Sequence, residues 1–204
     1  MSQIAFLERF RTPFDSTVSH RPGTPAALRG WSDVYRRILG PHPLRILDLG
    51  CADGECALLF DALGHHPHGL DLAQERVQRA RCTAESRCAA VPFHVGDAGE
   101  LTFRAQTFDV VHARGLLSAL PDCRSALAEW FRVLAPGGRI VVAEPAPVDG
   151  PHEALHTAGE LRSAGFADVE VHVLSRALRT RGRWYLPLAG GRAARPFVVV
   201  GTRI

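Results

Sequence analysis

The sequence predicts an α/β fold, a doubly wound and mostly parallel sheet with helices on both faces. From residue 44 onward, short apolar runs of strand length alternate with helix-like stretches. Such alternation implies crossover connections between parallel strands. Residues 1–43 lack this alternation, and we expect an N-terminal arm and helix there, too small to be a domain. The predicted organisation is therefore an appendage of residues 1–43 and a core of residues 44–204.

The individual elements follow from apolar runs and their boundary residues. Strands are predicted at 44–49, 66–72, 91–97, 108–113, 139–145, 168–174 and 196–203. Helices are predicted at 25–39, 54–64, 73–90, within 121–138, and at 151–166. No helical pattern separates the last two strands, which predicts a hairpin and one antiparallel strand in a seven-stranded sheet. In 25–39 the apolar residues lie on one helical face: Ala27, Leu28, Trp31, Tyr35 and Ile38.

Composition excludes several kinds of chemistry. All 24 basic residues are arginine, so a Schiff-base lysine and a P-loop lysine are both excluded. No run approaches the roughly 20 apolar residues of a membrane helix. The five cysteines show no C-x-x-C spacing, which indicates free thiols in a reducing compartment. The N-terminus carries charge where a secretory signal is apolar, so we expect a cytoplasmic protein.

Positive charge is concentrated near the end of the chain. Residues 171–204 hold seven arginines and no acid, whereas the net charge of the whole chain is +3. Six of these arginines lie in 175–195 beside Trp184 and Tyr185, a combination that can bind RNA. A solvated connection, or contact with an acidic substrate or a second subunit, is more common. We therefore expect no nucleic-acid partner and a monomer or homodimer.

Acidic residues lie where an open parallel sheet binds ligands, beyond the carboxyl ends of its strands. Asp48 is the last residue but one of the first strand, and Gly50 and Gly54 after it allow a tight turn and close approach of backbone amides. Asp71 ends the second strand, where an acid can accept hydrogen bonds from ribose hydroxyls. Asp97 closes the third strand, where an adenine edge would lie. Three carboxylates around one crevice repel a pyrophosphate and favour a cationic nucleoside.

Five ordered segments carry a family resemblance: ILDLGCADG, GLDLA, VGDAGEL, FDVVHARGLLSALPD and VLAPGGRIVVAEP. They resemble the class I S-adenosylmethionine-dependent methyltransferases, in the small-molecule branch related to ubiquinone and menaquinone biosynthesis, over about residues 44–174. The resemblance implies a Rossmann-like fold, S-adenosylmethionine as cofactor and S-adenosylhomocysteine as product. It implies cofactor contacts at Asp48, Gly50, Cys51, Ala52, Gly54 and Ala113 (methionine part), Asp71 and Leu72 (ribose), and Asp97 and Ala98 (adenine).

Two positions depart from the family pattern. The usual glycine at the third loop position is Ala52, which crowds the cofactor by one methyl group. The frequent His-His after the fourth strand is Ser118-Ala119, so a histidine base at that place is absent. A dinucleotide-binding unit is an alternative interpretation of a glycine turn, but the required G-x-G-x-x-G is missing here.

The catalytic candidates are His112 and Arg114, which lie at the end of the fourth strand. Methyl transfer from a sulfonium is an in-line displacement that depends mainly on orientation, and a base helps when the acceptor must lose a proton. His112 on an apolar strand also fits a buried core histidine. Arg114 could instead hold an acceptor carboxylate or a helix end. No Asn-Pro-Pro-Tyr run begins at Arg114, which disfavours nucleic-acid and amide N-methylation.

Candidates for the acceptor pocket come from both sides of the core. Only residues 145–150 separate the fifth strand from the next helix, too few for a cap. We therefore hypothesise that Phe14, His20, Trp31 and Tyr35 close over the site, although simple packing of these aromatics on the sheet explains them equally well. His152, at the helix start, would border the pocket. It also begins an H-E-x-x-H pattern, which a surface helix produces by chance, so we predict no metal.

The function predicted from the sequence is methylation of a small molecule, at oxygen, by S-adenosylmethionine. The absence of an Asn-Pro-Pro-Tyr run and of an appended recognition domain favours a small acceptor. Two alternatives remain. One is a nucleic-acid or protein methyltransferase, and the other is a protein that binds the same cofactor but catalyses a cyclisation or rearrangement. A nicotinamide oxidoreductase is a more distant third.

Overall fold

The computed structural model describes residues 25–145, 152–173 and 196–204, which form a seven-stranded sheet with helices on both faces. Five helices are defined: α1 (Pro25–Leu39), α2 (Glu55–Ala62), α3 (Gln74–Ser86), α4 (Cys123–Val133) and α5 (His152–Ser163). The strands are β1 (Arg45–Leu49), β2 (His66–Asp71), β3 (Phe93–Val95), β4 (Phe108–Arg114), β5 (Leu134–Pro145), β6 (Ala167–Val173) and β7 (Pro196–Thr202). A 3₁₀ turn, Leu117–Ala119, follows β4.

The strands are ordered β3-β2-β1-β4-β5-β7-β6 across the sheet. Strands β1 to β5 pair in parallel, and β7 is antiparallel to both of its neighbours, β5 and β6. The order reverses at β1, where β2 lies on one side and β4 on the other, and this is the switch point at which such sheets bind ligands. The predicted doubly wound, mostly parallel sheet with one antiparallel strand is confirmed.

Helices cover the two faces of the sheet with separate apolar clusters. On one face, alternate strand residues such as Leu49, Val111 and Val142 pack with Leu127 and Trp130 of α4. On the other face, the remaining alternate residues of the same strands pack against α1 and α2. A third cluster fixes α3 over the β2–β3 side. This alternation is what a strand buried on both faces requires.

The amphipathic helix α1 contributes its apolar face directly to the core. Tyr35 is fully buried and Trp31 is 4% exposed. Tyr35 packs edge-on against Phe60 of α2, with ring centroids 4.9 Å apart. The spacing of apolar residues in 25–39 therefore predicted the buried face, and the partner of that face is the sheet together with α2.

Boundaries differ from the predicted ones where turns and pairing decide them. The helix predicted at 73–90 ends at Ser86, because Cys88 takes a left-handed conformation with φ 53°. Strand β5 starts at Leu134, earlier than the predicted 139, because Leu134 already pairs with Phe108 before the register shifts. Helix α4 starts as predicted at its cap: the Asp122 carboxylate accepts a hydrogen bond of 3.1 Å from the amide of Ser125.

Candidate active site

The carboxyl ends of the parallel strands bring charged residues from distant parts of the sequence to one edge. Asp48 lies one residue before the end of β1, Asp71 ends β2, and Arg114 ends β4. Asp97 follows β3, and Glu144 lies at the end of β5. Since neighbouring parallel strands run in the same direction, these groups share a single rim of the sheet. Together these five residues bring four carboxyl side chains and one guanidinium to the rim.

The loop after β1 is built from left-handed backbone conformations. Gly50 has φ 63° and Gly54 has φ 84°. A side chain at Gly54 would also place its Cβ 2.8 Å from the ring of Phe93, so only glycine fits there. The residue between them, Ala52, takes φ 51° in spite of its methyl group. The turns are fixed by backbone hydrogen bonds within the protein: the amide of Cys51 donates to the carbonyl of Leu70, and the amide of Gly54 donates to the carbonyl of Cys51.

Asp71 is held in place by two backbone amides. Its Oδ2 accepts a bond of 2.8 Å from the amide of Ala52, and its Oδ1 accepts one of 2.9 Å from the amide of Ala73. Each oxygen keeps a second lone pair. The side chain is half-buried, so a hydroxyl-bearing ligand can reach those lone pairs without moving the carboxylate. Leu72, the next residue, is half-buried as well.

Asp97 is likewise ordered by its own loop. Its Oδ1 accepts a bond of 2.7 Å from the amide of Gly99. Ala98 is buried, and its carbonyl accepts a bond of 2.7 Å from the indole nitrogen of Trp130, which anchors this loop to α4. The Asp97 carboxyl is half-buried at the rim.

Two of the residues assigned to the cofactor by resemblance turn their side chains into the core. Cys51 is 6% exposed and belongs to the cluster under α3, where burial raises the pKa of its thiol. Ala113 is fully buried on the α4 face of β4. The side chains of these two residues are therefore not presented at the rim.

A buried polar chain crosses the α1 face of the sheet. Asp48 and His112 are partners in the β1–β4 register, and Nδ1 of His112 lies 2.7 Å from Oδ1 of Asp48. Nε2 of His112 lies 2.8 Å from the hydroxyl of Tyr35. With Asp48 as a carboxylate, Nδ1 donates to Asp48 and Nε2 accepts from Tyr35. Burial raises the pKa of the Tyr35 hydroxyl, so it stays protonated and able to donate.

This geometry corrects the expected role of His112. The residue is 1% exposed and both of its ring nitrogens are already hydrogen-bonded inside the core. A base that takes a proton from an acceptor needs a ring nitrogen within hydrogen-bond reach of that acceptor. In this arrangement both ring nitrogens of His112 are engaged in the core, which favours the alternative interpretation as a core histidine.

Arg114 is the second catalytic candidate, and it lies at the rim. Its side chain is 28% exposed, and Nη2 donates to Oε2 of Glu55 at 3.3 Å. Glu55 is the first residue of α2, directly after the loop that follows β1. The guanidinium thus ties the end of β4 to the start of α2.

Glu144 is a rim residue that the sequence reasoning missed. It is 3% exposed, and its carboxyl accepts bonds from the amide of Leu117 at 2.9 Å and from the hydroxyl of Ser118 at 3.3 Å. Burial raises the pKa of Glu144 to about 7, although both hydrogen bonds oppose the rise. The signal was present: an acid follows the apolar run of β5, as Asp71 follows that of β2.

The side chains of two of the five candidates for the acceptor pocket lie within the described residues. Trp31 and Tyr35 are core side chains, so the expectation that they line the pocket is corrected: they pack α1 against the sheet. Phe14 and His20 lie outside the described residues, as does the arginine-rich segment 175–195. His152 is the first residue of α5, and its side chain is outside the description.

The described ranges of the chain contain neither a membrane-spanning helix nor a metal-binding cluster. None of the helices there is both long enough and apolar enough to cross a bilayer. No three histidine, cysteine, aspartate or glutamate side chains in those ranges converge in a way that could hold a metal ion. In the H-E-x-x-H segment, His156 is exposed and its Nε2 lies 3.9 Å from Oε1 of Glu160.

Sequence comparison finds a matching family model and similar proteins. Residues 46–138 match the methyltransferase domain family. The chain is 41% identical over 111 residues to a demethylmenaquinone methyltransferase of Thermus thermophilus, covering 53% of this chain and 50% of that protein. It is 35% identical over 124 residues to nocamycin O-methyltransferase of Saccharothrix syringae, covering 56% and 44%. The chain thus spans about half the length of these curated relatives.

Comparison of structures supports the fold assignment. The solved [4+2]-cyclase SpnF superposes with a TM-score of 0.70 at 22% identity, covering 98% of this chain and 92% of that chain. At that identity the likeness concerns the fold alone. Together, these comparisons show that residues 46–138 of this chain carry a methyltransferase domain and that the chain has the fold of the solved structures it resembles.

Proposed function

We propose that this protein binds S-adenosylmethionine at the carboxyl rim of β1 to β4 and transfers its methyl group to a small molecule, at an oxygen atom. The observation that carries the proposal is the set of ordered carboxylates around the loop after β1. Asp71 is fixed by two amides, Asp97 by one, and Asp48 by His112. Fixed negative charges need no reorganisation when a cationic ligand arrives.

The buried carboxyl of Asp48 indicates which chemical group of a ligand this site can accept. Its Oδ2 is buried and has no hydrogen-bond partner among the residues described. A buried carboxylate oxygen without a donor is costly, and a ligand that donates to it removes that cost. The ammonium of the methionine part of the cofactor is such a donor. The residues present therefore fit a ligand that carries both a ribose and an ammonium group.

Each part of the site then has a role in binding or orientation. Asp71 and Leu72 would hold the ribose, Asp97 and Ala98 would flank the adenine, and the loop containing Gly50 and Ala52 would surround the methionine part. When bound, the cofactor supplies an electrophilic methyl group on sulfur. The protein's contribution is to hold an acceptor in line with that group, which accounts for most of the rate enhancement in such displacements.

Arg114 is the rim residue that we assign to the acceptor side. It is charged, partly exposed and fixed to α2 through Glu55. A guanidinium in this position can bind a carboxylate or stabilise an oxygen nucleophile as it loses its proton. Residues 1–23 with Phe14 and His20, and the start of α5 with His152, are proposed to cover the acceptor. The O-methyltransferase among the relatives supports oxygen as the acceptor atom.

Calorimetry with S-adenosylhomocysteine and with NAD tests the cofactor assignment. We expect S-adenosylhomocysteine to bind and NAD not to bind, because a rim of carboxylates repels a pyrophosphate. Binding of NAD without binding of S-adenosylhomocysteine would replace the proposal with a nicotinamide enzyme.

Product mass tests the reaction. The protein is incubated with S-adenosylmethionine and a panel of phenols and hydroxylated metabolites, and each product is weighed by mass spectrometry. Methylation adds one methyl unit and releases S-adenosylhomocysteine. A product of unchanged mass would instead support a cyclisation or rearrangement, and label transfer to RNA or protein would support the macromolecular alternative.

A further inference from the structure

The hydrogen-bonded chain Tyr35–His112–Asp48 is polar, whereas the cluster on the α1 face that includes Tyr35 is mainly apolar. Its other buried members are mostly aliphatic or aromatic, including Ile46, Val110 and Val141 on the same sheet face. A buried hydrogen-bonded chain is often no more stabilising than apolar side chains of the same volume. On this face of the sheet, position 112 has Val110 beside it on β4 and Val141 opposite it on β5, where a valine or leucine would pack without polar partners. Core stability alone therefore gives little reason for a histidine there.

The chain joins three elements that are distant in sequence. Tyr35 lies in α1, His112 in β4 and Asp48 in β1, and the two hydrogen bonds span 77 and 64 positions of the sequence. The rings of Tyr35 and His112 meet edge to face, with centroids 5.2 Å apart, and Phe60 packs against both. These contacts leave the imidazole no free rotation.

The hydrogen-bonded chain ends at Oδ2 of Asp48, which has no partner among the described residues. The other carboxyl oxygen, Oδ1, is occupied by His112, so the imidazole sets the direction in which Oδ2 faces. Asp48 stands two residues before Gly50, the first residue of the loop assigned to the methionine part of the cofactor. Charged neighbours complete the surroundings: Arg114 on β4 and Glu55 on α2.

We propose that Tyr35 and His112 are positioning residues that aim the Asp48 carboxylate at the ammonium of the cofactor. The inference rests on the proposed function and deepens it, because it makes α1 part of the cofactor site without any contact between α1 and the ligand. Docking of α1 on the sheet and binding of the methionine part then stabilise each other.

Two ligands and graded variants test this positioning. S-adenosylhomocysteine carries the ammonium group, whereas 5′-methylthioadenosine has the same nucleoside but lacks the amino-acid part. Calorimetry with both ligands is performed on the wild type, Tyr35→Phe, His112→Asn and His112→Leu. Tyr35→Phe removes only the hydroxyl. The amide of asparagine in His112→Asn can still donate to Asp48 but is too short to reach Tyr35.

We expect Tyr35→Phe to lower the affinity for S-adenosylhomocysteine about three- to tenfold, which is the effect of losing one hydrogen bond. The affinity for 5′-methylthioadenosine should stay unchanged. His112→Leu should lower the affinity for S-adenosylhomocysteine further. The affinity of His112→Asn should lie between those of the wild type and His112→Leu. The matched control is Val198→Ala, on β7, which loosens the same apolar cluster without removing a polar atom. It should lower thermal stability and leave the ratio of the two affinities at the wild-type value.

The outcomes separate this inference from the proposed function. A wild-type protein that binds neither ligand overturns both. A wild-type protein that binds both, with a ratio unchanged in Tyr35→Phe, overturns the inference alone. Tyr35→Phe differs from the wild type by one buried oxygen, so the test stands even where His112→Leu does not fold.

Discussion

The backbone amide of Ala52 donates a hydrogen bond of 2.8 Å to Oδ2 of Asp71. This bond joins the loop after β1 to the end of β2, the two segments that the proposed function assigns to the cofactor. Because the amide of Ala73 holds the other carboxyl oxygen, the orientation of Asp71 is set before a ligand arrives. Asp71 thus orders the loop and presents its charge at the same time, which is a form of preorganisation.

Asp71→Ala should weaken the binding of S-adenosylhomocysteine by about 1.5–3 kcal/mol. The ribose loses a charged hydrogen-bond acceptor, and the loop after β1 loses the carboxylate that holds the amide of Ala52. Asp71→Asn offers one acceptor oxygen to two amides, so its affinity should lie between those of the wild type and Asp71→Ala. Calorimetry measures both, and Asp33→Asn on the exposed side of α1 is the matched control. Wild-type affinity in Asp71→Ala would remove Asp71 from the site.

Ala52→Gly should raise the free energy of unfolding by about 0.5–1 kcal/mol, because φ 51° strains an alanine and not a glycine. The same change removes the methyl group that crowds the loop, so affinity for S-adenosylhomocysteine should not fall. Urea denaturation and calorimetry measure the two effects.

The control for that change is Ala62→Gly at the exposed end of α2, which should lower the free energy of unfolding by about 1 kcal/mol. Destabilisation by both substitutions would show that residue 52 is not strained.

Glu144→Gln should become progressively more stable than the wild type as pH rises from 5 to 8. The folded pKa of Glu144 is about 7, raised by burial from its ordinary value of 4.5. In that window the native state holds a proton that the unfolded state has lost, so wild-type stability declines with pH. The difference should reach about 3 kcal/mol at most. Glutamine keeps an acceptor for the amide of Leu117.

Urea denaturation at several pH values measures this effect. Glu129→Gln is a control of opposite sign, since hydrogen bonds from Arg132 lower the pKa of Glu129. The ionised Glu129 carboxylate stabilises the folded state at every pH above the pKa that glutamate has in the unfolded chain. Glu129→Gln should therefore be less stable than the wild type by a constant amount from pH 5.5 to 8.5. A flat profile for Glu144→Gln would mean that Glu144 titrates normally.

Asp109→Asn should lower the free energy of unfolding by about 1 kcal/mol without changing the affinity for S-adenosylhomocysteine. Arg45 donates to Asp109 from its amide at 2.8 Å and from its guanidinium at 3.1 and 2.7 Å, at the amino ends of β1 and β4. This edge is opposite the proposed site. These bonds lower the pKa of Asp109, so the contribution persists above about pH 4 and is lost on further acidification. A changed affinity would place the ligand elsewhere.

The fold was predictable because each strand carries its own signal. Apolar runs, glycines and the missing helical pattern between the last two strands were enough to predict the parallel sheet and the antiparallel β7. Rim acids were predictable where an acid directly follows an apolar run, as at Asp71. The same rule applied to β5 would have found Glu144.

The buried hydrogen-bonded chain Tyr35–His112–Asp48 was not predictable, because it depends on the register between β1 and β4. Asp48 and His112 meet only when residues 48 and 112 are opposite each other, which no local pattern specifies. The buried face of α1 was predicted correctly, but an amphipathic pattern does not say whether the sheet or a ligand covers that face. For Trp31 and Tyr35 the answer is the sheet.

The position of β7 between β5 and β6 has a consequence for how this protein is made. Within the described structure β6 pairs only with β7, which comes later in the chain. On the ribosome, β1 to β5 can assemble as they emerge, whereas β6 must wait for β7 before it gains a neighbouring strand. Late docking of this kind relies on long-range contacts and slows folding. Nascent chains arrested before residue 196 should therefore expose the edge of β5 to chaperones.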